Sequence, residues 1–320
     1  MRLLLVVLLA VSGQAVAQGD ARKWLDDMSG ALQSLDYDGT FVYLHDGKLE
    51  AMRIIHRMDK GGQRERLVSL TGSAREVLRD DKMVTCIMPD NKSVMVGQSR
   101  PPQPFPVVPR DLDSVSPHYL LEDVGDDRMA GYAARVIAIT PRDSFRYGYR
   151  FWIARDTRML LKSDLTDVDG KPIEQMMFTR LSIGDDIPAD DLQPSLTGDG
   201  YTWHSQVNVR RKPSHPEGKP AWQAGKLPAG FSMTHFQHKR MRDASSDAQH
   251  MVFSDGLATV SAYVENVDSV QEPLVGLSSM GAMNAFGVLR DGFQVTVVGE
   301  VPPATVEMIA TSLNPAGDNE

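Results

Sequence analysis

One cysteine, Cys86, stands in a chain of 320 residues. A lone thiol makes no intrachain disulfide, so stability has to come from a packed core. Apolar Val84, Ile87 and Met88 around it favour a buried thiol over an intermolecular pair. Long hydrophobic runs are missing too. The stretch Leu3 to Val11 holds nine apolar residues, short of the ~20 that a helix needs to span a hydrocarbon core of ~30 Å. Basic residues are outnumbered, 34 to 42, for a net charge of −8, which argues against a nucleic-acid partner. No Gly-x-Ser-x-Gly elbow, His-Glu-x-x-His pair, phosphate loop or paired-cysteine spacing is present. His235 and His238 lie three apart in an alternating segment, on opposite faces of a strand, and do not make a metal site. Asp185-Asp186 and Asp190-Asp191 lack the register of a calcium loop and read as a solvated turn.

What is present begins with an export signal. Arg2 precedes the apolar run, and Ala15-Val16-Ala17 closes it, the layout of a cleavable signal peptide over residues 1–17. The mature chain is expected to start at Gln18, with no cysteine there to carry a lipid anchor. What remains is long enough for two domains. Trp24, Leu25, Met28, Ala31, Leu32 and Leu35 recur at helical spacing and predict an amphipathic helix ending before Asp38-Gly39.

From Thr40 the period changes to two. Strands interrupted by Asp46-Gly47 and Gly61-Gly62 predict an antiparallel meander, followed by further strands at 75–79, 83–88, 93–96, 132–140, 145–154, 159–167 and 173–181. Arg100 to Pro109 carries five prolines in ten residues, which excludes helix and central strand and implies a stiff extended loop. Leu112, Val115, Tyr119 and Leu120 after it suggest one short helix, or two broken at Pro117. This insertion reads equally as a lid, with Phe105, Leu112 and Tyr119 at its apolar tip, or as a loop packed outside the sheet. Many of the seventeen methionines fall in or beside strands, giving either an irregular core or an adaptable apolar binding face.

Residues 208–220, rich in proline and basic side chains, read as a linker between a domain at 18–207 and a smaller one at 221–320. The second domain alternates through strands at 227–238, 250–253, 257–264, 281–289 and 294–301. Pro302-Pro303 then opens a helix with Val306, Ile309, Ala310 and Leu313 on one face. The class is α+β.

The runs Asp36-Tyr37-Asp38-Gly39-Thr40-Phe41-Val42-Tyr43, Ile55-His56-Arg57 and Glu65 to Gly72 with Arg75-Glu76-Val77 resemble the amino-terminal domain of the MucB/RseB family. Leu227 to Phe231, Val252 to Ala258, Val260-Ser261 and Val298 to Pro302 resemble its second domain. The resemblance spans the mature chain and implies a periplasmic regulator of the envelope-stress sigma factor (sigma-E or AlgU). Such a regulator binds the periplasmic segment of a membrane-spanning anti-sigma factor (RseA or MucA) and shields it from the site-one protease (DegS or AlgW). The resemblance also implies a larger domain similar to the lipoprotein carriers LolA and LolB, a half-open antiparallel β-barrel, with release of the partner by lipid or lipopolysaccharide acyl chains. It implies no catalytic residue and no cofactor.

Regulation by occlusion requires surface and differential affinity rather than a nucleophile. From period-two spacing beside the Asp46-Gly47 turn, Phe41, Tyr43, Met52 and Ile54 are the candidates for an acyl-chain cavity. Arg210, Arg211, Lys212, Lys239 and Arg240, with Arg242, are candidates for meeting acidic residues of the partner, or for keeping a hinge solvated. Two other classes compete: a lipid or lipoprotein carrier of the LolA kind, against which the second domain argues, and an envelope hydrolase. A homo-oligomer is compatible with the sequence.

Overall fold

The computed structural model describes residues 7–60, 62–99, 105, 106, 108, 109, 112–115, 117–195, 198–205, 220–240, 247–270 and 272–316. Helix α1 (Val7–Ser34) leads into β1 (Tyr37–His45), β2 (Lys48–Asp59), β3 (Gly62–Ser69), β4 (Glu76–Asp80), β5 (Met83–Met88) and β6 (Ser93–Gln98). A one-turn helix α2 (Leu112–Val115) precedes β7 (Tyr119–Met129), β8 (Tyr132–Pro141), β9 (Gly148–Ala154), β10 (Leu160–Thr166), β11 (Pro172–Ile183) and β12 (Thr202–Ser205). These form one twelve-stranded sheet in the order β12-β6-β5-β4-β3-β2-β1-β11-β10-β9-β8-β7. Its ends, β7 and β12, do not meet, so the barrel is half open. Every pairing is antiparallel except β12 with β6.

The helix is held by its apolar stripe. Ala21, Leu25, Met28 and Leu32 are buried against the concave face of the sheet with Phe41, Ile54, Tyr119, Ile137, Phe151 and Phe178, each large apolar side chain contributing about 1.5–3 kcal/mol. The expected apolar positions from Trp24 to Leu32 all fall within this helix. Asp46 and Gly47 both take positive φ, 47° and 68°, as a two-residue hairpin turn requires. The expected helix around Tyr119 does not extend that far: α2 stops at Val115 and Tyr119 opens strand β7. Cys86 is half-buried on β5, its neighbours across the strands being Val77 and Met95, and burial pushes its thiol pKa up.

The second sheet contains β14 (Ser232–Arg240), β15 (Asp247–Ser254), β16 (Thr259–Asn266), β17 (Gly276–Met280), β18 (Met283–Arg290) and β19 (Phe293–Gly299), in the order β14-β15-β16-β19-β18-β17. Helix α3 (Pro303–Ser312) covers it, burying Val306, Ile309 and Ala310 against Met251, Val260, Val295 and Val297. A two-stranded ribbon of β13 (Trp222–Ala224) and β20 (Leu313–Pro315) packs Trp222 edge-on to Phe293 at 5.4 Å. In β14 a bulge between Met233 and His235 shifts the alternation, so Phe236 turns into the core and both His235 and His238 are exposed. Among the described residues no group of three His, Cys, Asp or Glu side chains is placed to hold a metal. No helix among them is long and apolar enough to cross a membrane.

Candidate functional site

Where the concave face of the barrel meets the second domain lies a cavity of about 550 Å³. Its wall is built by alternation on five adjacent strands. Phe41 and Tyr43 of β1 point into it beside Glu50 and Met52 of β2, since Phe41 pairs with Met52 and Tyr43 with Glu50. On the other side Tyr43 pairs with Met176 of β11, and the same face of that strand carries Glu174. Ser163 and Leu165 of β10, with Tyr149 of β9, continue the wall. Leu67, Arg75, His45 and Pro106 complete the barrel's share, and Glu300, just after β19, contributes from the second domain.

Of the four cavity candidates read from the sequence, the structure thus brings Phe41, Tyr43 and Met52 together on the wall. Ile54 shares their face but pairs with Gly39 one step deeper, where it is fully buried in the core. Phe105 and Val108, the described apolar residues of the proline-rich stretch, pack into the core on the concave side of the sheet. Phe105 is buried between Phe41 and Phe178, with ring centroids 5.8 and 5.7 Å away, and Leu112 is buried in the same core. Tyr119 sits at the domain junction. Lys239 and Arg240 end strand β14, whereas Arg210, Arg211, Lys212 and Arg242 lie outside the described residues.

The cavity's floor is apolar and its rim is acidic. Glu174 receives the Tyr43 hydroxyl and, at 3.4 Å, the backbone N–H of Ala282 from the second domain. Glu50 lies 3.6 Å from His45, whose ring stacks on Tyr43 with centroids 4.7 Å apart. Glu300 opens to the cavity. Burial first, and the Glu174 charge second, push its carboxyl up to about 7; access of water to the side chain screens part of that effect. Burial, then the bond to Glu174, raises the Tyr43 hydroxyl as well, so it stays a neutral donor. Glu174 and Glu300 escaped the sequence reading because they are distant in the chain and each falls in an ordinary alternating segment. Only the β1–β11 pairing and the docking of the domains place them together.

That docking is polar and buried. Arg146 Nη1 meets Asp255 Oδ2 at 2.6 Å with both side chains fully buried, and the Tyr119 hydroxyl donates to the same oxygen at 2.9 Å. Arg146 also donates to Ala229 O at 2.6 Å. Thr305 Oγ1 donates to Phe145 O at 2.6 Å, and Asn284 Nδ2 donates to the Tyr147 hydroxyl at 3.1 Å. Tyr147 and Leu165 from the barrel enclose Ala282 from the other side.

Residues 20–196 match the MucB/RseB N-terminal domain, and residues 216–314 match the MucB/RseB C-terminal domain. The sigma factor AlgU regulatory protein MucB of Pseudomonas aeruginosa is 34% identical over 98% of this chain and 96% of its own length. The complex structure of Pseudomonas aeruginosa MucA/MucB superposes with a TM-score of 0.72 at 32% identity, covering 93% of this chain and 99% of the matched one. A crystal structure of MucB in complex with MucA(peri) gives a TM-score of 0.71 at 30% identity, with coverage of 93% and 99%. With both domains matched in order along nearly its whole length, this chain belongs to the MucB/RseB family.

Proposed function

We propose that this chain is a periplasmic binding protein that restrains the envelope-stress response. It is exported by a signal peptide at residues 1–17 that is then cleaved, and it binds the periplasmic segment of a membrane-spanning anti-sigma factor. By covering that segment it slows site-one proteolysis and so keeps the sigma factor sequestered. The observation that carries this reading is the match of the two-domain arrangement, over 93% of the chain, to MucB solved with MucA. A regulator of this kind works by occlusion, which fits a site made of an apolar floor and a polar rim rather than a nucleophile and a base.

Release belongs to the same reading. An acyl chain of a lipid or lipopolysaccharide enters the concavity of the first domain and lowers affinity for the partner. Four to six methylenes buried there supply roughly 3 to 5 kcal/mol, more than the ~1 to 3 kcal/mol typical of coupling between sites. The test is cleavage of the purified periplasmic segment by its site-one protease with and without this protein. Protection that titrates with protein and is reversed by acylated lipid is expected. Unchanged cleavage at saturating protein refutes the regulatory role, and protection that lipid leaves untouched refutes the release step. Lipid binding without any protection favours the carrier.

A further inference from the structure

We propose that the junction cavity is the receptor for a lysine or arginine of the bound partner segment, with the aliphatic stem and adjacent apolar residues on the floor and the charged head on the acidic rim. The inference rests on the regulatory reading above and names the chemistry that reading leaves open. Phe41, Met52, Leu67 and Leu165 supply a floor that an aliphatic stem can cover. Three carboxylates, Glu50, Glu174 and Glu300, face the cavity against a single guanidinium, Arg75. They come from both domains, so a cation held between Glu174 and Glu300 reads their docked arrangement and neither domain alone.

Charge complementarity selects the occupant. An anionic head at this rim meets like charges at close range, whereas a cationic one relieves the repulsion that already exists between Glu174 and Glu300. Burial first, and that repulsion second, push the Glu300 carboxyl up to about 7. The groups facing it are Glu174 of β11, Tyr43 and His45 of β1, Glu50 of β2, Tyr149 of β9 and Arg75 before β4. Burial keeps Tyr43 and Tyr149 protonated. A cation within ~4–6 Å favours the ionised carboxylate. Binding therefore expels a proton from Glu300 near neutrality, and affinity rises with pH.

The experiment uses the full mature protein and a fluorescent synthetic peptide of the periplasmic segment of the anti-sigma factor from the same organism. A second set of peptides has each Lys and Arg changed singly to Gln. Expected is one basic position whose loss weakens wild-type binding at least tenfold but weakens binding to a Glu50→Gln/Glu300→Gln variant by no more than about twofold, the non-additivity of two groups in contact. Wild-type affinity should also gain about tenfold between pH 6 and pH 8, as expected for a carboxyl of pKa about 7 that ionises on binding, and Glu300→Gln should flatten that rise. Glutamine keeps the shape of both side chains, and far-UV circular dichroism with thermal melting verifies the fold. Peptide binding by wild type without coupling at any basic position overturns the inference and leaves the regulatory role standing. Absence of any peptide binding by the wild type overturns both.

Discussion

Arg146 and Asp255 form an ion pair 2.6 Å long with no solvent exposure on either side chain, joining the loop before β9 to the turn after β15. Asp255 is fully committed: its second oxygen accepts the backbone N–H groups of Leu257 at 2.9 Å and Ala258 at 2.7 Å. Arg146 is steadied by Asp143 at 3.0 Å and by the rings of Tyr119 and Phe231. Breaking a buried pair strands the other charge, so Asp255→Ala should cost about 3–5 kcal/mol, while replacing both partners by apolar residues should recover part of it. Urea unfolding followed by tryptophan fluorescence measures the difference. A loss below about 1 kcal/mol would mean that the junction does not depend on the pair.

The aromatic trio Phe41, Phe105 and Phe178 holds Phe105 against the concave face of the barrel. Phe105→Ala should cost about 3–5 kcal/mol, the range for removing a buried phenyl ring. If the ring anchors the insertion, limited proteolysis should cut that segment in the variant well before the rest of the chain unfolds. Cleavage at the wild-type rate, with the same stability, would show that the insertion is held by other contacts.

Gly39 sits under the same cluster. A Cβ built there lies 2.5 Å from Phe178 Cε1 and 2.9 Å from Leu181 Cδ1, and both of those side chains are buried. Gly39→Ala should therefore destabilise by about 1–3 kcal/mol through overpacking, despite alanine's lower cost in the unfolded chain. Thermal melts of the single variant decide the matter, and an unchanged or raised midpoint contradicts the packing argument.

The first meander was legible because its information is local: alternation along β1 to β3 and a turn pair with two positive φ values. Strand β7 was not. Its Glu122, Asp123, Asp126 and Asp127 make no apolar alternation, yet Arg135 of β8 meets Asp123 Oδ1 at 2.6 Å and Asp126 at 2.9 Å, and Trp152 of β9 donates to Asp127 at 2.7 Å. Cross-strand partners make an acidic strand tolerable, and no local pattern announces them. The cavity shows the same division. Phe41, Tyr43 and Met52 follow from period two, whereas Glu174 and Glu300 depend on strand order and domain docking, which the linear pattern does not contain.

His56 carries the last prediction. It is fully buried on β2, stacked on Tyr37 with ring centroids 4.8 Å apart, and its Nδ1 donates to Leu35 O at 2.8 Å. A carbonyl can only accept, so Nδ1 holds the proton and Nε2 is a bare acceptor, without a hydrogen-bond partner among the described residues. Burial lowers its pKa from the ordinary 6.5, against smaller opposing effects of the Leu35 carbonyl and Asp36. The unfolded chain then binds a proton that the folded chain refuses, so this histidine's contribution to stability is lost as pH falls through the ordinary histidine range. Glu65, opposite it on β3, has its pKa raised by burial and acts in the reverse sense, which is why the effect must be read as a difference. Relative to His56→Gln, wild-type stability should fall between pH 7.5 and pH 5.5 by up to about 1.4 kcal/mol per pH unit. Urea midpoints at matched ionic strength measure it, and parallel curves for the two proteins would show that His56 takes up its proton equally well in the fold.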